Sequence, residues 1–277
     1  MPGFVFKHTV CLAVYPSHMH LGDQLFHLPL IHRLVSQGIS VHILGQTPLA
    51  FLFKSMGCEI RAKGQSCAGS VIITKVDCLP EIVNERGGYF LGLNYRDMTG
   101  DERIGDLIFN SVRAVLSQWI SVKKTDFSGV SSHLDALKPG NYSWPSGPVL
   151  LVNDCVKSDR VSAFFRRKQL WKLALKMSKN KTVVFIGEAS RRPLPQWVHY
   201  DYRGQIPIPM IFSLCQKNAQ RITVVTFDTF IAHMGVLCSV SAIYTVAKRN
   251  KKIIKKRFFP YFLSYTKPVP NQQINIY

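Results

Sequence analysis

One short stretch of this chain gathers an acid, a hydroxyl and an imidazole: Asp228-Thr229-Phe230-Ile231-Ala232-His233. It follows the β-branched run 222–226 and precedes small residues and a further apolar run, 240–246. A strand that ends in a polar turn and opens a helix leaves backbone N–H groups without intrahelical partners, and such groups hold anions. Gly22-Asp23 is a second turn of this kind, between an apolar run and an amphipathic stretch. In a parallel sheet these turns lie at the carboxyl edge of the strands, where ligands bind. A carboxylate at a helix start is favoured as the anion and can take the proton of an attacking hydroxyl. Glu188, after Gly187 at the end of another apolar run, is placed to accept a hydrogen bond from a ribose hydroxyl. Each residue also has a plain structural reading. Asp23, Asp228 and Thr229 could simply cap helices, His233 could be packed, and Glu188 could be a surface acid beside Arg191 and Arg192. Two such turns, one in each half, point to an enzyme with a cleft between two α/β domains.

The elements that must carry these residues follow from periodicity. Residues 9–15 fit a buried strand, and 16–23 a loop with Gly22 as its flexible point. Apolar spacing predicts a helix over 24–37, with Pro29 in an early turn or at a kink, and Gly38 as its C′ residue. Strand 39–44, helix 47–56 and strand 59–62 follow, then a strand at 71–76, a loop at Gly87-Gly88 and an amphipathic helix over 104–122. Strand and helix in alternation mean a parallel sheet with right-handed crossovers. Residues 138–148 have a linker composition, which predicts domains at 1–140 and 149–277 joined by 141–148. The pattern then restarts: strand 149–152, helix 168–179 preceded by Arg166-Arg167-Lys168, strand 182–186, helix 210–218 and strands 222–226 and 240–246.

Composition narrows the function classes. The 277 residues carry a formal charge of +19, and it is lopsided. Residues 1–145 hold 13 Lys+Arg against 11 Asp+Glu, whereas 146–277 hold 22 against 5. Such a field concentrates anions: nucleotide phosphates, anionic lipid or nucleic acid. The run from Lys248 to Arg257, leading into Phe258-Phe259-Pro260-Tyr261-Phe262, suits an anionic membrane surface or nucleic acid, and could also be a plain solvated basic face. The chain has no ribonucleoprotein, zinc-finger, G-x-G-x-x-G or P-loop signature, so nucleic acid is not the expected partner. Seven scattered cysteines without a C-x-x-C pair argue against a disulfide framework and for a reducing compartment. His18, His20 and His27 crowd the first loop and helix without a recognisable ligand spacing, and no metal is expected. The apolar stretch near the N-terminus is too short for a signal peptide, and no run is long enough to span a bilayer.

Three segments share a resemblance. Gly22-Asp23-Gln24-Leu25 with Pro29-Leu30 resembles the Gly-Asp-x-hydrophobic…Pro motif of glycosyltransferase family 9, the lipopolysaccharide heptosyltransferases. Asp228 to His233 resembles that family's Asp-Ser/Thr-Gly-x-x-His signature, and Tyr202-Arg203-Gly204-Gln205 with Ile206-Pro207 the segment that precedes it. The resemblance implies a GT-B fold, with two Rossmann-like domains facing across a cleft. It implies inverting transfer from a nucleotide sugar such as ADP-heptose to an anionic, lipid-linked glycan of the lipopolysaccharide core, with no further cofactor, at the cytoplasmic face of the membrane. Asp23 would be the base. Thr229, Phe230 and Ile231 would offer N–H groups to the diphosphate, Asp228 and His233 would hold the sugar and phosphates, and Glu188 the ribose. Phe230 stands where the family has glycine, and the family's Lys-x-Trp-Pro phosphate segment is missing, which leaves Lys157, Arg160 or Arg166 to replace it. Two alternatives remain open: a relative that binds nucleotide or glycan without catalysis, which Phe230 favours, and a nucleic-acid-binding protein driven by charge.

Overall fold

A strand that is apolar at every position must be covered on both faces, which is the habit of parallel sheets flanked by helices. The computed structural model of the chain builds two such sheets. It describes residues 9–14, 19–62, 65, 70–75, 89–93, 108, 133, 144–155, 160–246 and 273–277. The chain divides into two compact units, Met1–His133 and Leu134–Tyr277.

The first unit runs β1 (Thr9–Ala13), α1 (Leu21–Leu25), α2 (Leu28–Ser36), β2 (Ser40–Leu44), α3 (Ala50–Ser55), β3 (Glu59–Arg61), β4 (Val71–Lys75) and β5 (Tyr89–Leu93). The sheet order is β3-β2-β1-β4-β5, parallel throughout. Val10 is paired with Val41 on one side and Val71 on the other.

Two expectations need correction here. Gly22 and Asp23 are not in a loop: they lie inside α1. The helix predicted over 24–37 is two helices, broken at Phe26-His27. Pro29 sits in the first turn of α2, where a missing N–H costs nothing. The buried His27 holds the break, its Nδ1–H donating to the Asp23 carbonyl at 2.9 Å. Gly38 does end α2 in the left-handed conformation, at φ +79°.

The second unit runs β6 (Val149–Asn153), α4 (Arg160–Met177), β7 (Thr182–Phe185), β8 (Tyr200–Asp201), α5 (Ile208–Lys217), β9 (Ile222–Phe227), α6 (Phe230–Leu237), β10 (Ala242–Val246) and β11 (Gln273–Ile276). Its order is β11-β10-β9-β6-β7-β8, again parallel. Numbered from its own first strand, it has the same winding as the first sheet. One face buries Leu150, Val152, Phe185, Val225 and Phe227 under Leu170, Leu173 and Ala174 of α4. The other carries Ile243, which lies beside Gly235 of α6.

Helix α4 starts at Arg160, so Arg166-Arg167-Lys168 lie within it rather than before it. The short strands β5, β8 and β11 are additions to the sequence reading. The expectations for 104–122, apart from a buried helical Ile108, and for Gly87-Gly88, Lys157 and 248–257 fall outside the described residues. Cys11, Cys58, Cys215 and Cys238 are buried, and burial pushes the Cys58 and Cys215 thiols up to about 12.

Candidate functional site

In an open parallel sheet the ligand crevice opens where successive connections leave in opposite directions. In the second sheet that point lies between β6 and β9. The turns leaving these two strands are Asp154-Cys155 and Asp228-Thr229.

The β9 turn is built as the sequence predicts. Thr229 is the N-cap of α6, with extended backbone at φ −139° and ψ 173°. Its hydroxyl does not cap the helix; it meets the Thr226 hydroxyl at 3.1 Å. The Ala232 N–H already closes onto the Thr229 carbonyl at 3.0 Å. Phe230 and Ile231 therefore supply the leading N–H groups of the helix, which have no intrahelical acceptor by geometry. The Phe230 ring packs against Phe212 of α5, with centroids 5.7 Å apart, which gives its bulk a place other than over its own N–H. His233 lies beneath the turn, 5% exposed, its Nε2 3.7 Å from Asp228 Oδ1. Burial lowers its pKa to about 3, so the imidazole is neutral at pH 7.

The β6 turn holds what the sequence did not reveal. The Asp154 side chain is only 4% exposed. Its Oδ2 accepts from Trp171 Nε1 at 3.2 Å and Arg192 Nη1 at 3.0 Å, and lies 3.5 Å from Arg167 Nε. Next to it, Asn153 accepts the Cys155 N–H at 3.2 Å and reaches towards the Ile186 carbonyl. The Cys155 thiol is pushed up by burial and then by the Glu188 carboxylate beside it. Glu188 itself is exposed at the end of β7. Gly187 precedes it at φ +123°, where a Cβ would meet Asn153 Nδ2 at 2.6 Å. Arg203 is buried and forks onto Asp201, with both contacts at 2.8 Å, and its Nη2 also donates to the Arg192 carbonyl. This fork holds the Asp201 carboxyl below the usual carboxylate range. The Arg-Gly segment that the sequence singled out is thus a brace for the loop between β7 and β8.

In the first unit the corresponding switch lies between β1 and β4, and α1 is the helix that leaves β1. Asp23 is its third residue, and its Oδ2 accepts the His20 N–H at 3.1 Å. Buried Gln24 ties α1 to the loop after β2: the Thr47 hydroxyl donates to its Oε1 at 2.6 Å. Of the three phosphate candidates, Arg166 is half-buried on α4, Arg160 begins that helix, and Lys157 is outside the described residues.

No protein-family model matches the chain, and neither does any curated protein sequence. Solved structures do match. The E. coli heptosyltransferase WaaC with ADP aligns over 97% of this chain and 93% of its own, with a TM-score of 0.56 and 12% identity. E. coli ADP-heptose lps heptosyltransferase II aligns over 96% and 89%, with a TM-score of 0.54 and 11% identity. The chain has the GT-B fold.

Within this GT-B chain the four described acids of the basic half, Asp154, Glu188, Asp201 and Asp228, all stand at carboxyl ends of strands β6 to β9. Two of them are already engaged within the fold, Asp154 by Trp171 and Arg192 and Asp201 by Arg203, whereas Glu188 is exposed. The buried histidines also set an acid limit. His233 and His27 have pKa values lowered by burial to about 3 and about 4, against 6.5 when unfolded. Between pH 6.5 and 4 the unfolded chain binds the extra protons. Their contribution is therefore complete above pH 6.5 and is lost on acidification, at about 1.4 kcal/mol per pH unit for each histidine. Urea midpoints at pH 7, 6 and 5 are expected to fall in step, and His233→Gln is expected to flatten the trend.

Proposed function

We propose that this protein is an inverting glycosyltransferase that takes a heptose-like sugar from an ADP-type nucleotide sugar. The observation that carries the reading is the start of α6 at the switch point of the second sheet, with leading N–H groups at Phe230 and Ile231 and strand-end acids around it. The likeness in fold to a heptosyltransferase with ADP supports the nucleotide class. In the reaction the acceptor oxygen attacks the anomeric carbon and its proton passes to Asp23. The bond from that carbon to the diphosphate oxygen breaks, and the nucleoside diphosphate leaves with the electron pair. The helix start and nearby cations, Lys157, Arg160 or Arg166, stabilise the departing charge. Asp228 and neutral His233 hold the sugar and phosphates by hydrogen bonds, and Glu188 takes the ribose. The acceptor we assign is an anionic, lipid-linked glycan of the lipopolysaccharide-core type, met at the cytoplasmic membrane face. Among the described residues no helix is long and apolar enough to cross a membrane.

Calorimetric titration with ADP and with UDP, paired with turnover of a nucleotide-sugar panel, tests this. ADP binding with consumption of an ADP-sugar in the presence of acceptor is the expected result. Nucleotide binding without turnover of any donor would mean a binding protein on a transferase scaffold, and no nucleotide affinity at all would overturn the reading.

A further inference from the structure

Helix α4 carries six cations and no acid along its 18 residues. Its inner face belongs to the core through Leu170, Leu173 and Ala174. Elsewhere on the helix large apolar side chains remain in water: Phe164 is 61% exposed, Phe165 66% and Leu175 52%. Phe164, Lys168, Trp171, Lys172 and Leu175 fall on one helical stripe by their spacing, so apolar groups and ammonium groups alternate along it. Beside that stripe the segment Pro193-Leu194-Pro195 and Trp197 complete an open groove of about 660 Å³, with no acid in its wall. Long lysine stems can lie along apolar surface while their heads reach phosphate.

We propose that this face of α4 is a docking surface for an anionic phospholipid bilayer. Phe164, Phe165, Leu175 and the groove enter the acyl boundary, while Lys168, Lys172 and Lys176 meet the headgroup phosphates. The charge of the face selects an anionic partner, and its aliphatic and prolyl groove selects a lipid one. A single-stranded nucleic acid needs ring faces to stack on. Here the Trp171 N–H is tied to Asp154, Trp197 packs at 6.0 Å from Phe185, and Phe164 and Phe165 stand edge to face. The inference goes beyond the transferase reading and does not depend on it: Arg167, Trp171 and Arg192 of the groove wall also hold Asp154 at the β6 turn, but the four residues substituted below contact neither that carboxylate nor the β9 turn.

Co-sedimentation of the full chain with vesicles tests it, using phosphatidylcholine alone and an equal mixture with phosphatidylglycerol. The chain is expected to bind the anionic vesicles. The doubly substituted variants Phe164→Ser with Leu175→Ser, and Lys168→Glu with Lys172→Glu, are each expected to lower the partition coefficient at least about tenfold. All four positions are open to water, so the melting temperature and the affinity for ADP should not move. If the serine variant does melt early, the lysine variant decides. Parent-like partition of both variants would overturn the proposal. So would an absence of vesicle binding by the parent, loss of binding only on Lys255→Glu with Lys256→Glu, or variants that lose affinity for single-stranded RNA while keeping it for vesicles.

Discussion

Asp23→Asn is expected to lower kcat by about a hundred- to ten-thousand-fold, the range for removing a positioned general base, with little change in KM for the nucleotide sugar. The substitution separates the base role proposed for Asp23 from the part its side chain plays in the fold. Asp23 Oδ2 already accepts the His20 N–H and so closes the start of α1. An asparagine oxygen can accept that same bond, so the helix keeps its closure while the base is lost. Asp23→Ala removes both, and should add a destabilisation of about 1 kcal/mol, typical of a lost cap. Steady-state kinetics on the asparagine variant, with urea unfolding of both, resolves the question. If the asparagine variant turns over donor as fast as the parent, Asp23 only closes its helix.

Asp154→Ala is expected to destabilise the second unit by about 2–4 kcal/mol. Two elements converge on this one buried carboxylate: Trp171 of α4 and Arg192 of the β7–β8 loop donate to it, and Arg167 of α4 pairs with it at 3.5 Å while its Nε donates to the Asp154 main-chain carbonyl. Removing it leaves the Trp171 N–H without its acceptor and takes the counter-charge from the Arg167 guanidinium, which is largely out of water and keeps only its bond to the residue-154 carbonyl. The Arg192 side chain is 36% exposed, so water recovers part of its cost, and this keeps the figure below that of a wholly buried pair. Chemical denaturation should show a lower midpoint at unchanged slope. A midpoint within experimental error of the parent would mean that the three side chains find water or other acceptors once the carboxylate is gone.

What could be read from the sequence followed the physics of each element. Strands β1, β2, β6, β7 and β9 are apolar almost throughout because helices cover both faces, and a continuous apolar run bounded by turn residues is easy to see. Strands β8 and β11 have two and four residues, and neither is fully buried, so they leave no such run. The break between α1 and α2 was hidden because Leu25, Phe26, Leu28, Leu30 and Ile31 keep nearly helical spacing across it; the buried imidazole of His27 that marks it is a tertiary contact. Helix α4 was read from residue 168 because its earlier turns leave Phe164 and Phe165 in solvent, which breaks the amphipathic pattern. The β9 turn was legible because its acid, hydroxyl and imidazole lie within six consecutive residues. Asp154 was not: its partners lie 13, 17 and 38 residues away, and a single acid after an apolar strand has no spacing to betray it.

Seven of the eight residues of α6 are buried, and a methyl group added to Gly235 would meet the Ile243 side chain at 3.2 Å. Walled in this way, the helix has no room to retreat from a guest at its tip and no exposed flank along which its first turn could fray. On the proposed reading, an anion at this helix start is expected to raise the melting temperature with the logarithm of its concentration, and a thermal scan against a library of nucleotides is the measurement that checks it.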